Sequence, residues 1–181
     1  IHREGRTEFA SYNTFSFEPE QMPLGKRAEQ IREVVAESVE AHQISDVEVG
    51  SFLSGGIDSS VIAALSRPDK TYSVGFANKD FDETGEAKAL CKELGLRNIS
   101  KTISAQEFFD ALPAIQYYAD EPNANLSTVP LYFLSQLAAR DVKVVLSGEG
   151  ADELFGGYIT YHTTKPYRVY RKVPLTLRKA V

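Results

Sequence analysis

The fold is decided by residues 47–65, which read VEVGSFLSGGIDSSVIAAL. Residues 47–53 have the β-branched and aromatic composition of a strand. They run directly into a Ser-Gly-Gly turn at 54–56, and a helix is predicted over 59–65. Consecutive glycines after a strand allow a tight turn that exposes backbone N–H groups, so this βα unit is expected to carry a ligand-binding turn.

The same alternation of strand and helix continues along the chain. Further strands are predicted over residues 71–76, 98–103 and 142–146, and helices from residue 26, over 83–94, from 105 and around 131–137. Gly95 is placed to end one helix, Ser104 and Glu107 match a capping box, and Pro113 is expected to bend or split the helix that follows. This order predicts an α/β fold with three layers, α/β/α, around a mainly parallel twisted sheet.

Composition excludes several classes of protein. The chain has 181 residues, 43% of them hydrophobic and 25% charged, which is typical of a globular domain. No apolar run approaches the roughly 20 residues of a membrane span, so no membrane partner is expected. One cysteine, Cys91, and three histidines exclude a disulfide framework and a zinc cluster. Because no signal peptide is visible, a cytoplasmic location is expected.

Charge and chain ends give two further expectations. Residues 158–181 hold six of the 20 basic side chains and none of the 25 acids. An acidic body repels phosphate, so we interpret this tail as a solvated helix and expect no nucleic-acid partner. Residues 1–24 lack periodicity and are interpreted as a linker or arm. A first residue Ile and a basic end without a helix-stop signal predict a piece of a longer protein.

The first loop combines glycines, hydroxyls and one carboxylate. Ser54, Ser59 and the neighbouring N–H groups offer donors to phosphate oxygens. Asp58 would repel phosphate unless Mg²⁺ lies between them, and that ion takes one or two carboxylates together with phosphate oxygens. The Walker pattern is absent because no Lys follows Gly56, and the G-x-S-x-G pattern of hydrolases fails at Phe52.

The second loop, residues 147–158, reads SGEGADELFGGY and follows the last predicted strand. Its three acids are costly to place unless they are solvated or coordinated. Asp152 is a candidate second ligand for a Mg²⁺ shared with Asp58, and Glu149 is a candidate to orient or deprotonate an attacking amine. Ligands of parallel sheets bind beyond the carboxyl ends of strands at a switch point, so these two loops are expected to carry the chemistry.

Both loops resemble motifs of a known family. Residues 54–59 resemble the pyrophosphate loop of the ATP-pyrophosphatase superfamily, and residues 147–158 are similar to a motif of the glutamine-hydrolysing asparagine synthetases. Tyr72–Phe76, Phe81–Glu83 and Asp120–Pro122 also stand where that family has them. The resemblance implies an adenine nucleotide alpha hydrolase-like fold truncated at its C-terminus, with residues 25–181 as the N-terminal part of the synthetase domain.

The resemblance also implies a reaction. ATP adenylates the side-chain carboxylate of aspartate, giving β-aspartyl-AMP and pyrophosphate, and ammonia then displaces AMP to form asparagine. In the family, ammonia comes from glutamine through an N-terminal glutaminase domain, which this sequence does not include. A catalytic Lys is expected beyond residue 181, and a homodimer is left open.

Site residues follow from motif position. The resemblance assigns one set to ATP and pyrophosphate: Leu53, Ser54, Gly55, Gly56, Asp58, Ser59, Val74, Phe76, Ser147 and Gly148. It assigns Asp58 and Asp152 to Mg²⁺. Glu149 and Asp152 are the implied catalytic residues, with Glu149 as the base for ammonia.

Other functions stay open. A related amide-forming ligase, of the β-lactam synthetase or lasso-peptide cyclase type, would carry similar loops, and the carboxylate pocket cannot be read from the sequence. A non-catalytic nucleotide-binding module is disfavoured because an AMP binder needs no pair of Mg²⁺ ligands. A hydrolase acting through Ser54 is disfavoured because no histidine is well placed as its base.

Overall fold

The computed structural model describes residues 2–3, 5–14, 16, 18–79, 82–161, 165–174 and 178, so Phe81 of the motif 81–83 lies outside the described residues. The chain divides into two units, Ile1–Val35 and Ala36–Val181. In chain order the elements are β1 His2–Arg3, β2 Arg6–Thr7, α1 Leu24–His42, β3 Val49–Phe52, α2 Ile57–Ser66, β4 Lys70–Phe76, α3 Thr84–Leu94, β5 Arg97–Ile103, α4 Ala105–Tyr118, α5 Thr128–Ala138, β6 Val144–Leu146, α6 Ala151–Phe155, a 3₁₀ turn Ile159–Tyr161 and α7 Lys165–Arg171.

The first unit contains a short hairpin that the sequence did not predict. Strands β1 and β2 pair antiparallel, with His2 opposite Thr7 and Arg3 opposite Arg6. Gly5 has φ of +76°, a left-handed conformation that suits a tight turn and that the absence of a β-carbon allows. Two-residue strands carry almost no periodic signal, which explains why residues 1–24 read as irregular.

The second unit is built on four parallel strands in the order β5-β4-β3-β6. From β3 the chain moves outward to β4 and β5, and then crosses back to place β6 on the other side of β3. The direction of strand addition therefore reverses at β3. The switch point, where ligands of such sheets bind, lies beyond the carboxyl ends of β3 and β6.

Helices cover both faces of this sheet. Neighbouring residues of a strand point to opposite faces. In β4, Tyr72 belongs to a buried cluster with Leu137 and Ala138 of α5, whereas the hydroxyl of Thr71 lies 3.2 Å from the sulfur of Cys91 in α3. The prediction of a three-layer α/β fold with a parallel sheet is therefore confirmed. No helix in the described part of the chain is long and apolar enough to cross a membrane.

Three local predictions concern helices α3 and α4. Gly95 ends α3 with φ of +70°, and the capping box of Ser104 and Glu107 opens α4, so both predictions are confirmed. Pro113 was predicted to bend or split α4; the split is wrong, because the helix is continuous from Ala105 to Tyr118, and the bend stays a prediction. Proline removes one helical hydrogen bond, and the buried side chains of Ala111 and Ile115 anchor the helix on either side of it.

Candidate functional site

A cleft of about 310 Å³ opens at the switch point. Most of the predicted site residues line it: Leu53, Ser54, Asp58, Ser59, Val74, Ser147, Gly148, Glu149 and Asp152. The loops after β3 and β6, which the sequence separates widely, thus contribute to the same cavity. Gly55, Gly56 and Phe76 do not line it.

The loop after β3 is closed by its own hydroxyl groups. The amide of Ser54 donates to Ser59 Oγ at 3.1 Å, and Ser59 Oγ donates to the carbonyl of Gly56 at 3.2 Å. Ser54 Oγ accepts from the amide of Gly56 at 3.2 Å and lies 2.9 Å from Ser59 Oγ. Either hydroxyl can be the donor of the bond between Ser54 and Ser59. The loop therefore holds its shape before any ligand arrives.

Helix α2 begins at Ile57, two residues earlier than predicted, so Asp58 lies in its first turn. Gly55 precedes it with φ of +99°, and a β-carbon there would stand 2.9 Å from the β-carbon of Glu86. Both the backbone conformation and the space thus require glycine at this position. Gly56 is the N-cap of α2 and has an extended conformation.

Gly148 brings the second loop against the first. A β-carbon at position 148 would stand 2.7 Å from the amide nitrogen of Ser59 and 2.9 Å from the carbonyl carbon of Asp58. Any larger residue would push the two loops apart. This contact places Ser147 and Glu149, the neighbours of Gly148, on the same cleft as the first turn of α2.

The second loop contains a short helix, α6, that was read from the sequence as irregular. Gly150 and Gly156 bound it with φ of +92° and +69°. Asp152 and Glu153 occupy its first turn, where the helix dipole favours carboxylates. The hydroxyl of Tyr158 donates to Glu153 Oε1 at 2.7 Å, which lowers the pKa of Glu153 and raises the pKa of Tyr158 to about 12.

The carboxylates of the cleft suit a magnesium–nucleotide complex. Within the described residues, no group of three or more Asp, Glu, His or Cys side chains is placed to hold a metal ion. Asp58 and Asp152 line the cleft with hard oxygen donors. Mg²⁺ binds through one or two carboxylates when phosphate oxygens and water complete its shell. The donor set therefore fits Mg²⁺ bound together with phosphate.

Sequence reasoning missed one wall of the cleft. Helix α5 contributes Pro130, Leu131 and Leu134 together with its N-cap residue Ser127, and Val74 of β4 lines the same cleft. A helix was predicted around residues 131–137, but which of its residues face a cavity depends on the order of the strands. This wall gives the cleft an apolar surface against which a flat aromatic ring can pack.

Phe76 occupies a different environment from that wall. Its ring packs against Phe108 with 6.4 Å between ring centroids, beside the buried cluster that contains Ile103 and Phe133. Its predicted role beside the adenosine therefore stays a prediction, since the ring belongs to the packing between β4, β5 and α4 in this structure.

A parallel sheet with a glycine-rich, carboxylate-bearing cleft at its switch point is typical of nucleotide-binding α/β proteins. The sequence profile of the asparagine synthase family matches residues 30–179. The chain therefore belongs to the asparagine synthase family.

Individual proteins show the same similarity. Asparagine synthetase [glutamine-hydrolyzing] 1 of Bacillus subtilis is 43% identical over 183 residues, which cover 99% of this chain and 29% of that protein. Asparagine synthetase B [glutamine-hydrolyzing] of Escherichia coli is 29% identical over 152 residues, covering 74% and 27%. The solved structure of NH3-dependent NAD synthetase from Campylobacter jejuni is 24% identical, covers 76% of this chain and 62% of its own, and has a TM-score of 0.42. This chain spans less than a third of the length of these two curated relatives.

Proposed function

We propose that the cleft binds ATP with Mg²⁺ and that the chain is part of an enzyme that converts aspartate to asparagine. The observation that carries this proposal is the contact of Gly148 with the backbone of Asp58 and Ser59. It unites a phosphate-type loop with a loop that presents two further acids, Glu149 and Asp152. The similarity to asparagine synthetases supports the choice of reaction.

In this proposal the two ends of the cleft have different tasks. The loop at 54–59 and the first turn of α2 bind the phosphates, because their N–H groups and hydroxyls are concentrated there. Val74, Ser147 and Gly148, with the apolar wall of α5, receive the adenosine. Asp58 and Asp152 hold Mg²⁺, which neutralises phosphate charge when it is bound.

The reaction then needs little covalent chemistry from the protein. An oxygen of the aspartate side chain bonds to the α-phosphorus while the bond to pyrophosphate breaks. Ammonia next attacks the acyl carbon, Glu149 takes the proton that the nitrogen loses, and AMP leaves with the bonding electrons. Positioning and charge neutralisation supply most of the rate in displacements of this kind.

Ammonia is proposed to come from glutamine in the complete protein, through a glutaminase domain. The names of these relatives describe them as glutamine-hydrolyzing, and this supports the assignment by analogy. We propose a cytoplasmic setting for the same enzyme.

Calorimetric titration with ATP, in the presence of Mg²⁺ and then of a chelator, tests the nucleotide site. Binding that requires Mg²⁺ is expected, and a folded chain that binds equally well with the chelator would contradict the shared site. Aspartate-dependent exchange of labelled pyrophosphate into ATP, measured in the complete protein, tests the reaction. Exchange driven by another carboxylate would favour a related ligase, and binding without any exchange would favour a non-catalytic module.

A further inference from the structure

A line of buried polar groups connects β5 to the loop at 54–59. Asn98 of β5 donates through Nδ2 to Ser73 Oγ of β4 at 2.9 Å. Ser73 Oγ donates to the carbonyl oxygen of Leu53 at 2.6 Å. Ser73 and Leu53 are each only 1% exposed, so water does not compete for the bond between them.

The direction of this line is fixed by counting protons. A carbonyl oxygen only accepts, so the single hydroxyl proton of Ser73 lies on its bond to Leu53. Ser73 must then accept from Asn98, and the second proton of the same amide goes to Thr71 Oγ1 at 3.0 Å. With both amide protons used, the amide of Asn98 cannot be turned over without pulling the Ser73 proton away from Leu53.

The oxygen of the same side-chain amide is in an unfavourable position. Asn98 Oδ1 is buried and has no hydrogen-bond partner within the part of the chain that the structure describes. A buried acceptor without a partner is unfavourable and calls for an explanation. The donor role toward Ser73 supplies that explanation, because the reverse orientation of the amide would satisfy Oδ1 and release the carbonyl of Leu53.

Leu53 is where the site begins. The pairing of β3 with β4 includes Ser51 with Thr71 and Phe52 with Tyr72, and the amide of Leu53 still donates to the carbonyl of Tyr72 at 2.9 Å. One residue further along β4, the side chain of Ser73 takes over from the backbone and donates to the carbonyl of Leu53.

Holding the carbonyl of Leu53 also orients the amide of Ser54. The two groups belong to one planar peptide unit, so fixing one direction fixes the other. The amide of Ser54 donates to Ser59 Oγ at 3.1 Å, which closes the loop. The line of bonds therefore runs from β5 to the hydroxyl that shapes the loop.

We propose that Ser73 and Asn98 are positioning residues that hold the Leu53–Ser54 peptide and thereby keep the loop at 54–59 in its ligand-binding shape. Neither residue lines the cleft. The inference rests on the proposed function only for the identity of the ligand, Mg²⁺ with ATP.

The test compares Ser73→Ala with Thr71→Val in the full chain. Thr71 lies on the same face of β4 and also accepts from Asn98, but it makes no bond to Leu53, so it is the matched control. Amide hydrogen exchange of residues 54–59 is measured without ligand, and affinity for Mg²⁺–ATP is measured by calorimetry. Ser73→Ala is expected to speed loop exchange and weaken binding by about tenfold, the scale of one hydrogen bond, while Thr71→Val keeps the Ser73–Leu53 bond and should change both by less than Ser73→Ala does.

Equal exchange in Ser73→Ala and wild type, or an equal increase in both variants, would overturn the positioning role. Asn98→Asp keeps the size of the side chain but replaces the donor with an acceptor, so it should loosen the loop as Ser73→Ala does. It carries the test if Ser73→Ala fails to fold, and an unchanged loop would overturn the proposal. A wild-type chain that binds no Mg²⁺–ATP would contradict the proposed function alone, because the exchange measurement still decides the positioning role.

Discussion

The amide nitrogen of Ser59 lies 2.7 Å from the point where a β-carbon at position 148 would stand. Gly148, in the loop after β6, therefore lies directly against the backbone of the loop after β3. The nearest atoms, the Ser59 nitrogen and the Asp58 carbonyl carbon, belong to the backbone, so a change of side-chain rotamer cannot make room for a larger residue at position 148.

Gly148→Ala should lower the free energy of unfolding by about 1–3 kcal/mol and weaken binding of Mg²⁺–ATP, because the added methyl group separates the two loops. Urea unfolding and calorimetric titration measure the two effects. Gly85→Ala is the matched control. A β-carbon at Gly85 meets nothing within 4 Å, and the residue lies in helix α3, so this change should be neutral or stabilise by up to about 1 kcal/mol. Equal changes of unfolding free energy and of affinity in the two variants would contradict the close contact between Gly148 and Ser59.

Removing the charge of Asp58 or Asp152 should weaken Mg²⁺-dependent binding of ATP. The expected loss for Asp58→Asn and for Asp152→Asn is about 1–3 kcal/mol, the scale for hydrogen bonds to charged groups. Asp69→Asn changes an exposed acid outside the cleft and should leave the affinity unchanged. Calorimetry with and without Mg²⁺ measures each variant, and two variants with wild-type affinity would exclude the shared metal site.

Glu149→Gln should separate binding from chemistry. The change removes a base but keeps the size of the side chain, so Mg²⁺–ATP binding and aspartate-dependent pyrophosphate exchange should persist while formation of asparagine from ammonia is lost. Steady-state assays of both half-reactions in the complete protein measure the split. Loss of pyrophosphate exchange in the variant would argue that Glu149 acts at the adenylation step instead.

The Lys101–Glu107 pair should make stability sensitive to acid. Lys101 Nζ donates to Glu107 Oε1 at 2.8 Å, and Ser104 donates through its amide at 2.9 Å, which together lower the pKa of Glu107 from 4.5 to about 2. The folded state thus releases this proton more readily than the unfolded state. The contribution to stability is complete above about pH 4.5 and is lost as the pH falls toward 2.

Glu107→Gln should therefore flatten the dependence of unfolding free energy on pH over this range. Lys101→Met should flatten the pH dependence as well, because it removes the main hydrogen-bond donor to Glu107 and keeps a side chain of similar length. Urea unfolding at a series of pH values measures the slopes. Curves parallel to wild type in both variants would show that the pair does not act as described.

The pairing of Tyr158 with Glu153 gives a spectroscopic prediction. Tyr158→Phe removes the donor that lowers the pKa of Glu153, so the titration midpoint of that carboxyl should rise. Tyr161→Phe is the control, since the Tyr161 ring contacts Tyr158 edge-on but its hydroxyl makes no bond to Glu153 in this structure. Carbon-detected NMR of the carboxyl groups follows the midpoint, and an unchanged value in Tyr158→Phe would contradict the hydrogen bond.

Local signals explain which parts of the fold were predictable. The β4 strand at 70–76 and the helix ending at Gly95 depend on composition and capping within a few residues, and both appear close to the predicted bounds. Helix α6 was missed because the glycines at 150 and 156 read as loop, although they serve as its two ends.

Local sequence signals predict only some of the residues that form or support the site. Asp58 and Asp152 could be predicted as site residues from their loops because the motif itself combines glycine with carboxylate, and both line the cleft. The part of Ser73 and Asn98 was missed because a polar residue on a predicted strand carries no sign of what it contacts across the sheet. Only the register of three strands places Asn98, Ser73 and Leu53 in one line.

The pairing of β3 with β6 has a consequence for how the chain reaches its native state. Ser51 and Leu146, which this pairing brings together, are 95 residues apart, so their contact closes a long loop and is slow to form. A chain that has assembled only β3, β4 and β5 possesses the first loop without the second. A nucleotide that needs both loops would bind only after the last strand docks, and its binding would report completion of the sheet. Added Mg²⁺–ATP should then lower the rate of unfolding without raising the rate of folding.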